Sequence, residues 1–484
     1  MKPRHRTISS LAAALAAAAL SIPAAADSAT AAGTAPAGLY VNNASGSNCS
    51  ATGPGTQARP YCTVQEAADV ATAGQTVHIT GAYNEAVVLT RSGAIGAPIV
   101  FDGGSSNFSG VTAPNTAVGP AFSLRQVHDV VIRNLTIGAQ SPTAVLINRS
   151  KRVTLERNMF SGGATAWQSQ PVIHVAGTSR DITIARNQVE QSYGPAIGVD
   201  AGGSDVTIAR NDISATDNSG IQVAGTLNAR IIGNTVIHSC NTAVGVTGVS
   251  TGSVVADNIL GYVFGSSTYY DCPSVPTLTE ISADSAAAQT LAVDYNIVFP
   301  YTASAAYLWS GTAYTSSSDL HTATGQGAHD LTTDPGLCLP CYAPVPQEGS
   351  AAIDSADTAA LGAFSSDLYT DAPVDDLLVA NTGTGVGYAD RGAYEFEDGL
   401  QVQVAAAAPQ LNQVTFTATT TANPWSDGLT STFDFGDGSS PVTTTATSVT
   451  HTYAAPGTYT LTLTGVATSH ATYQSTVTVT ITTV

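Results

Sequence analysis

Six short segments of this 484-residue chain resemble one another: DVVIRNLTI (129–137), RVTLERNMF (152–160), DITIARNQV (181–189), DVTIARNDI (205–213), ARIIGNTVI (229–237) and SVVADNILG (253–261). Each carries one Asn, and Asn134, Asn158, Asn187, Asn211, Asn234 and Asn258 follow one another at intervals of 24, 29, 24, 23 and 24 residues. A near-constant period of this size marks a solenoid, in which a unit buries its apolar face only against its neighbours. A second apolar run follows most segments, and alternation places Ile173/Val175, Ile197/Val199, Ile221/Val223 and Val244/Val246 on one face. A period of two is that of a strand. Gly, Asn, Ser and Asp punctuate the runs as turns, and no repeat holds a helical pattern long enough for a strand–helix–strand unit. The fold class is therefore all-β: a right-handed parallel β-helix whose coils stack about 4.8 Å apart. The Asn column is expected at a bend after a strand, where Asn tolerates the left-handed region and its amide bonds the Asn one coil away.

The chain begins as an exported protein does. Residues 1–26 read as a signal peptide, with Lys2, Arg4 and Arg6 ahead of an Ala/Leu run and Ala24-Ala25-Ala26 as the cleavage site. Residues 27–38 read as a flexible leader. No later apolar stretch reaches the roughly 20 residues of a membrane span. Export permits disulfides, and Cys49, Cys62, Cys240, Cys272, Cys338 and Cys341 are expected as staples. Six cysteines allow fifteen pairings, of which the sequential one closes the shortest loops. Net charge is −19, with 35 acids and 16 bases; loss of the three leader bases takes it to about −22. Such a chain has no general attraction for nucleic acid. Local Arg columns leave anionic polymers open as substrates.

The stretch LYVNNASGSNCS…PYCTVQEAADVATAGQTVHITGAYNEAVVLTRSGAIGAPIVFDG (39–103), together with the repeats, resembles the pectin-lyase-like superfamily of secreted parallel β-helix proteins. The resemblance implies a short helix near 63–72 that caps the open end. The segments DYNIV (294–298), LWSGTAY (308–314), TGQGAHDLTTDPGL (324–337), GSAAID (349–354) and DRGAYEFE (390–397) match a closing pattern of such proteins. The β-helix with its caps is expected to occupy 39–398.

Composition shifts to Thr and Val after Glu397, and 399–484 form a second unit. Phe433-Asp434-Phe435-Gly436-Asp437-Gly438, followed by His451-Thr452-Tyr453 and Pro456-Gly457-Thr458-Tyr459, resembles a PKD domain, a small immunoglobulin-like β-sandwich. Phe433 stands where that family carries Trp. The resemblance implies a spacer or a polymer-binding module.

A β-helix presents a face along which a polymer can lie. Aligned on the second strand, one outward column holds His174, Gly198, Gln222 and Gly245, and the next holds Ala176, Asp200, Ala224 and Thr247. The glycines are expected to leave a depression. Trp167 and Tyr193 are candidates to stack on sugar rings, and His238 to bind beside them. A glycoside hydrolase needs two carboxyls, about 5–5.5 Å apart for retention and 6.5–9.5 Å for inversion; Asp200 and Asp217 are the candidates with His174, and Asp205 and Asp212 the alternatives. A polysaccharide lyase needs a base and a cation, and Arg186 and Arg210 are the candidates to meet an anionic sugar. Those arginines equally suit ion pairs with Asp181 and Asp205. His329-Asp330 and Asp334 fit the closing cap better than an acid/base set. No residue is assigned to a metal, although acidic turns leave Ca²⁺ possible. The expected function is action on an extracellular polysaccharide by a monomer, as a hydrolase or lyase, or else non-catalytic glycan binding.

Overall fold

The computed structural model describes residues 38–482 except 105–108, 115–118, 140–142, 163–169, 193, 264–277, 301–304, 340–342, 377–378, 386–387, 397–399, 423–429 and 467–471. The proposed signal peptide lies outside these residues.

Three parallel sheets run the length of the coil. The coil Lys151–Glu156, Met159–Gly162, Ile173–Ala176 contributes one strand to each, here termed first, second and third sheet. Among the described residues the first and third sheets have ten strands and the second has nine. Strands pair in parallel with the coils before and after, as in Val153↔Ile182 and Ile182↔Val206. Inward residues stack as aliphatic rows: Ile173, Ile197, Ile221, Val244 and Ile281 are all fully buried. At roughly 25 cal/mol per Å² this apolar burial is the main stabilising term of a solenoid.

The Asn column differs from expectation in two respects. First, the left-handed residue is the one before the Asn: Arg157, Arg186, Arg210, Gly233, Asp257 and Tyr295 have φ between 53° and 60°. That bend turns the chain from the first sheet into the second. It is strained for a side chain, by order 1–3 kcal/mol. Second, Asn134 occupies this left-handed position (φ 57°), because Arg133 pairs with Glu156 and Thr136 with Met159. Leu135 thus stands in the column, and the ladder starts at Asn158.

From there each side-chain amide donates to the next Asn: Asn158 Nδ2 to Asn187 Oδ1 at 3.1 Å, Asn187 to Asn211 at 3.0 Å, then Asn211 to Asn234, Asn234 to Asn258 and Asn258 to Asn296 at 2.9 Å each. The second hydrogen of each Nδ2 goes to a main-chain carbonyl of the preceding coil, as from Asn187 to Leu155. Each Oδ1 also accepts the backbone N–H of the preceding Asn, as Asn211 does from Asn187. Asp330 ends the column, accepting from Asn296 Nδ2 and N through Oδ1 and from the Tyr307 hydroxyl through Oδ2. The closing-pattern segment DYNIV is therefore a full coil.

Both ends are covered. Val64–Val70 forms a helix capped by Thr63 and Glu66, and it lays Val64, Ala67 and Ala68 over the first coil. The Cys49–Cys62 disulfide joins the segment before it. Cys240 and Cys338 are also disulfide-bonded. At the other end Thr312–Tyr314 folds back antiparallel on Ala305–Trp309, and the helix Ser317–Thr324 buries Leu320 in the same core.

The chain beyond 350 returns along the outer wall. Ala360 and Phe364 pack on the outward alanines Ala185, Ala209 and Ala256, and Ala393 N–H donates to Thr235 Oγ1. Residues 400–481 form two antiparallel sheets around their own core of Phe416, Phe433, Phe435, Tyr453, Leu461 and Leu463. Phe433 is fully buried, as the Trp it replaces would be.

Candidate functional site

The outer face of the third sheet carries a groove of about 560 Å³. Its floor is the expected column: His174 pairs with Gly198, Gly198 with Gln222, Gln222 with Gly245 and Gly245 with Ser282. Leu308 extends it by one more coil. Six strands give five spacings, or about 24 Å at roughly 4.8 Å each.

The two glycines act differently. A Cβ on Gly198 would lie 2.1 Å from Pro171 Cγ, so this glycine makes room for the proline ring and leaves no depression. A Cβ on Gly245 would meet nothing closer than Thr242 Cγ2 at 3.9 Å, so here the groove is open. Gln222 is exposed beside it, its amide donating to Ser219 Oγ at 2.9 Å.

At the other side His174 Nε2 lies 3.1 Å from Asp200 Oδ2. Asp200 follows the strand Ile197–Val199 and its side chain is 55% exposed, whereas that of His174 is 16% exposed. An imidazole held by a carboxylate and facing a groove can deliver or accept a proton.

Asp217 does not join this pair. It lies ahead of the strand Ile221–Ala224, at the opposite end of the strand direction from Asp200, and it is buried with its N–H on Ser192 O. It is absent from the groove wall, so the Asp200/Asp217 carboxyl pair is not formed there. Asp212 is buried against the return segment, where Tyr394 donates its hydroxyl to Oδ2 and burial pushes the carboxyl up to about 7. Asp205 accepts from Asn228 at the far corner. His238 sits on the second sheet, half-buried and 5.7 Å from the Tyr262 ring, away from the groove. Trp167 and Tyr193 lie outside the described residues.

The arginine column is taken up by the fold. Arg210 is fully buried; it donates to the carbonyls of Phe364, Ser365, Asp390 and Gly392. Arg186 donates to Asp367 O and Ser366 Oγ and lies 3.4 Å from Glu156. Neither pairs with Asp205 or Asp181, and neither reaches the groove. Substrate contact by Arg186 and Arg210 is thereby corrected to anchoring of the return segment. Sequence spacing could not reveal this, because the partners lie 150 to 180 residues downstream. His329 pairs with Asp294 at 2.9 Å and Asp330 ends the ladder, consistent with a cap.

Among the described residues no group of three or more His, Cys, Asp or Glu side chains converges as a metal site. No described helix is long and apolar enough to cross a membrane.

Comparison with known proteins supports the two architectures. Residues 97–260 match the family model for a right handed beta helix region, and residues 400–483 match that for a PKD domain. No curated protein is a significant match. Solved structures with similarity include XylC in complex with xylose (14% identity, 54% of this chain and 66% of that one, TM-score 0.40). An alginate lyase from Paenibacillus sp. str. FPU-7 shares 14% identity over 55% of this chain and 94% of its own, with a TM-score of 0.33. A rhamnogalacturonan lyase shares 13% over 55% and 74%, with a TM-score of 0.27. This chain thus spans just under two thirds of XylC, and none of these likenesses bears on the chemistry of the groove. The chain therefore contains a right handed beta helix region followed by a PKD domain.

Proposed function

We propose that the chain is an extracellular glycan-active protein. The third-sheet groove holds the polysaccharide, and His174 and Asp200 form its proton-transfer pair. The observation that carries this reading is the 3.1 Å approach of the two side chains at the wall of a groove open along several coils. Asp200 orients the ring, and His174 delivers a proton to a glycosidic oxygen lying across the floor. The leader-like residues 1–26 and the disulfides support export into an oxidising compartment. In this reading 39–398 is the working unit, 399–484 a spacer, and the protein a monomer.

A second reading, a non-catalytic glycan binder, is favoured by one feature. Among the described residues Asp200 is the sole carboxylate lining the groove, and two-carboxyl glycosidases need a pair. Incubation with plant, algal and microbial polysaccharides separates the readings. New reducing ends without unsaturated uronates indicate hydrolysis, unsaturated uronates indicate elimination, and binding without either indicates the binder. No binding and no cleavage would refute both.

A further inference from the structure

We propose that the groove takes an uncharged polysaccharide, a chain of neutral sugars, and rejects uronic-acid and sulfated polymers. This rests on the reading of the groove as a glycan site and names the class of glycan.

A uronate or sulfate ester brings a negative charge with every charged sugar. Seating it in a groove requires cations or many N–H donors to replace its water. The groove supplies neither in quantity. Among the described residues its only ionisable lining groups are His174 and Asp200. The imidazole is engaged by Asp200, which adds a charge of the wrong sign.

The rest of the chain cannot make up the deficit. No Lys or Arg occurs between residues 231 and 390, a stretch with 16 Asp and Glu. The coils that carry Asn241, Thr279, Ser282 and Leu308 therefore have no cation to offer, and neither do the connecting segments 264–277 and 301–304. Segment 163–169 also lacks Lys and Arg. Arg186 and Arg210 are held under the return segment, and Arg230 donates to Ala360 O in the same region.

The nearest exposed cations by register are Arg149 and Arg180. Arg149 lies one coil before His174 and two before Asp200, past the end of its strand, and it is absent from the groove wall. Arg180 pairs with Ser204 on the first sheet, past the corner from Asp200. Neither lines the groove. A bridging divalent cation has no seat either, since one carboxylate faces the groove and no acidic cluster converges among the described residues.

Apart from His174 and Asp200, what faces the groove among the described residues is uncharged. Gln222, Asn241, Thr247 and Ser282 present amide and hydroxyl groups that can exchange hydrogen bonds with sugar hydroxyls. Gly245 keeps the middle open for a ring.

The test is affinity gel electrophoresis of the full chain. The gels contain xylan, mixed-linkage β-glucan, polygalacturonate, alginate or chondroitin sulfate, with and without added calcium. Retardation by a neutral polymer and none of the acidic ones supports the inference. Retardation by an acidic polymer, with or without calcium, overturns it while leaving the glycan reading standing. Retardation by none overturns the glycan reading itself. Two variants locate the effect. Gln222→Ala should weaken neutral retention several-fold, and Gln222→Lys should gain about fivefold in polygalacturonate retention, as expected for one exposed charge pair. If both variants match the wild type, the polymer does not lie in this groove and the inference fails.

Discussion

His174 and Asp200 come from adjacent coils, 26 residues apart in sequence, and meet at 3.1 Å because Val175 pairs with Val199. The approach depends on coil register alone; no loop is needed to bring the two together. Asp200→Asn and His174→Ala should each lower glycan cleavage at least 100-fold, the usual contribution of a general acid. Their melting temperatures should stay close to the wild type, since Asp200 is exposed. Wild-type rates in both variants would exclude the pair from catalysis.

Asn187 makes four hydrogen bonds through its amide, and all are buried. Asn187→Ala should cost about 1–3 kcal/mol, because it strands buried groups on the coils either side. Asn134→Ala should cost clearly less, since this residue stands beside the column. Urea unfolding of the two variants checks the order, and equal losses would contradict the register.

Among the described residues Arg210 is the largest fully buried side chain, and it lies among Glu395, Asp257, Asp367 and Asp390. Arg210→Ala leaves those carboxyls without their cation and should destabilise by about 3–5 kcal/mol. Glycan retention by the still-folded fraction should be unchanged. Selective loss of retention in a variant of wild-type stability would restore the arginine to the binding site.

Buried carboxyls set the response to pH. Burial pushes Asp212 and Asp257 up to about 7 and Glu280 up to about 8. The folded protein therefore holds protons that the unfolded chain releases above about pH 4. Stability should fall as pH rises from about 5 to 8. Below about pH 4 the trend reverses, as Asp129, held down to about 2 by hydrogen bonds from Arg152, loses its charge. Thermal unfolding followed by circular dichroism across this range reads the sign. Glu280→Gln should flatten the alkaline end, because Glu280 Oε2 has no hydrogen-bond partner among the described residues.

The core of 400–481 shares no residue with that of the coil. Deleting 400–484 should leave a folded protein with its cooperative transition intact. Precipitation of the truncated chain would show that the two parts depend on each other.

Much of this architecture could be read in the residues. Alternation at Ile173/Val175 and its successors identified the inner rows, and the same alignment placed His174, Gln222 and Gly245 on one outer row. The errors have local causes. In IRNLTI the bend falls on the Asn itself, one position later in the motif than in ERNMFS, and both registers look alike on paper. Asn296 was hidden because 38 residues separate it from Asn258. Gly198 looks like a hollow in the aligned sequence, but the ring that fills it, Pro171, precedes the strand of the coil before. The fate of Arg210 depended on contacts with residues 364–392, which no periodicity within 129–261 can report.

The asparagine column has a direction: each amide nitrogen faces the next coil's oxygen, and only the last position, Asp330, must be an acceptor alone. Internal rungs are therefore interchangeable while the termini are not. Excising 187–210 would bring Asn211 directly after Arg186 and rejoin the file with no mismatched donor. Length in such a molecule can vary by whole turns, and evolution can shorten or extend the track without redesigning its stops.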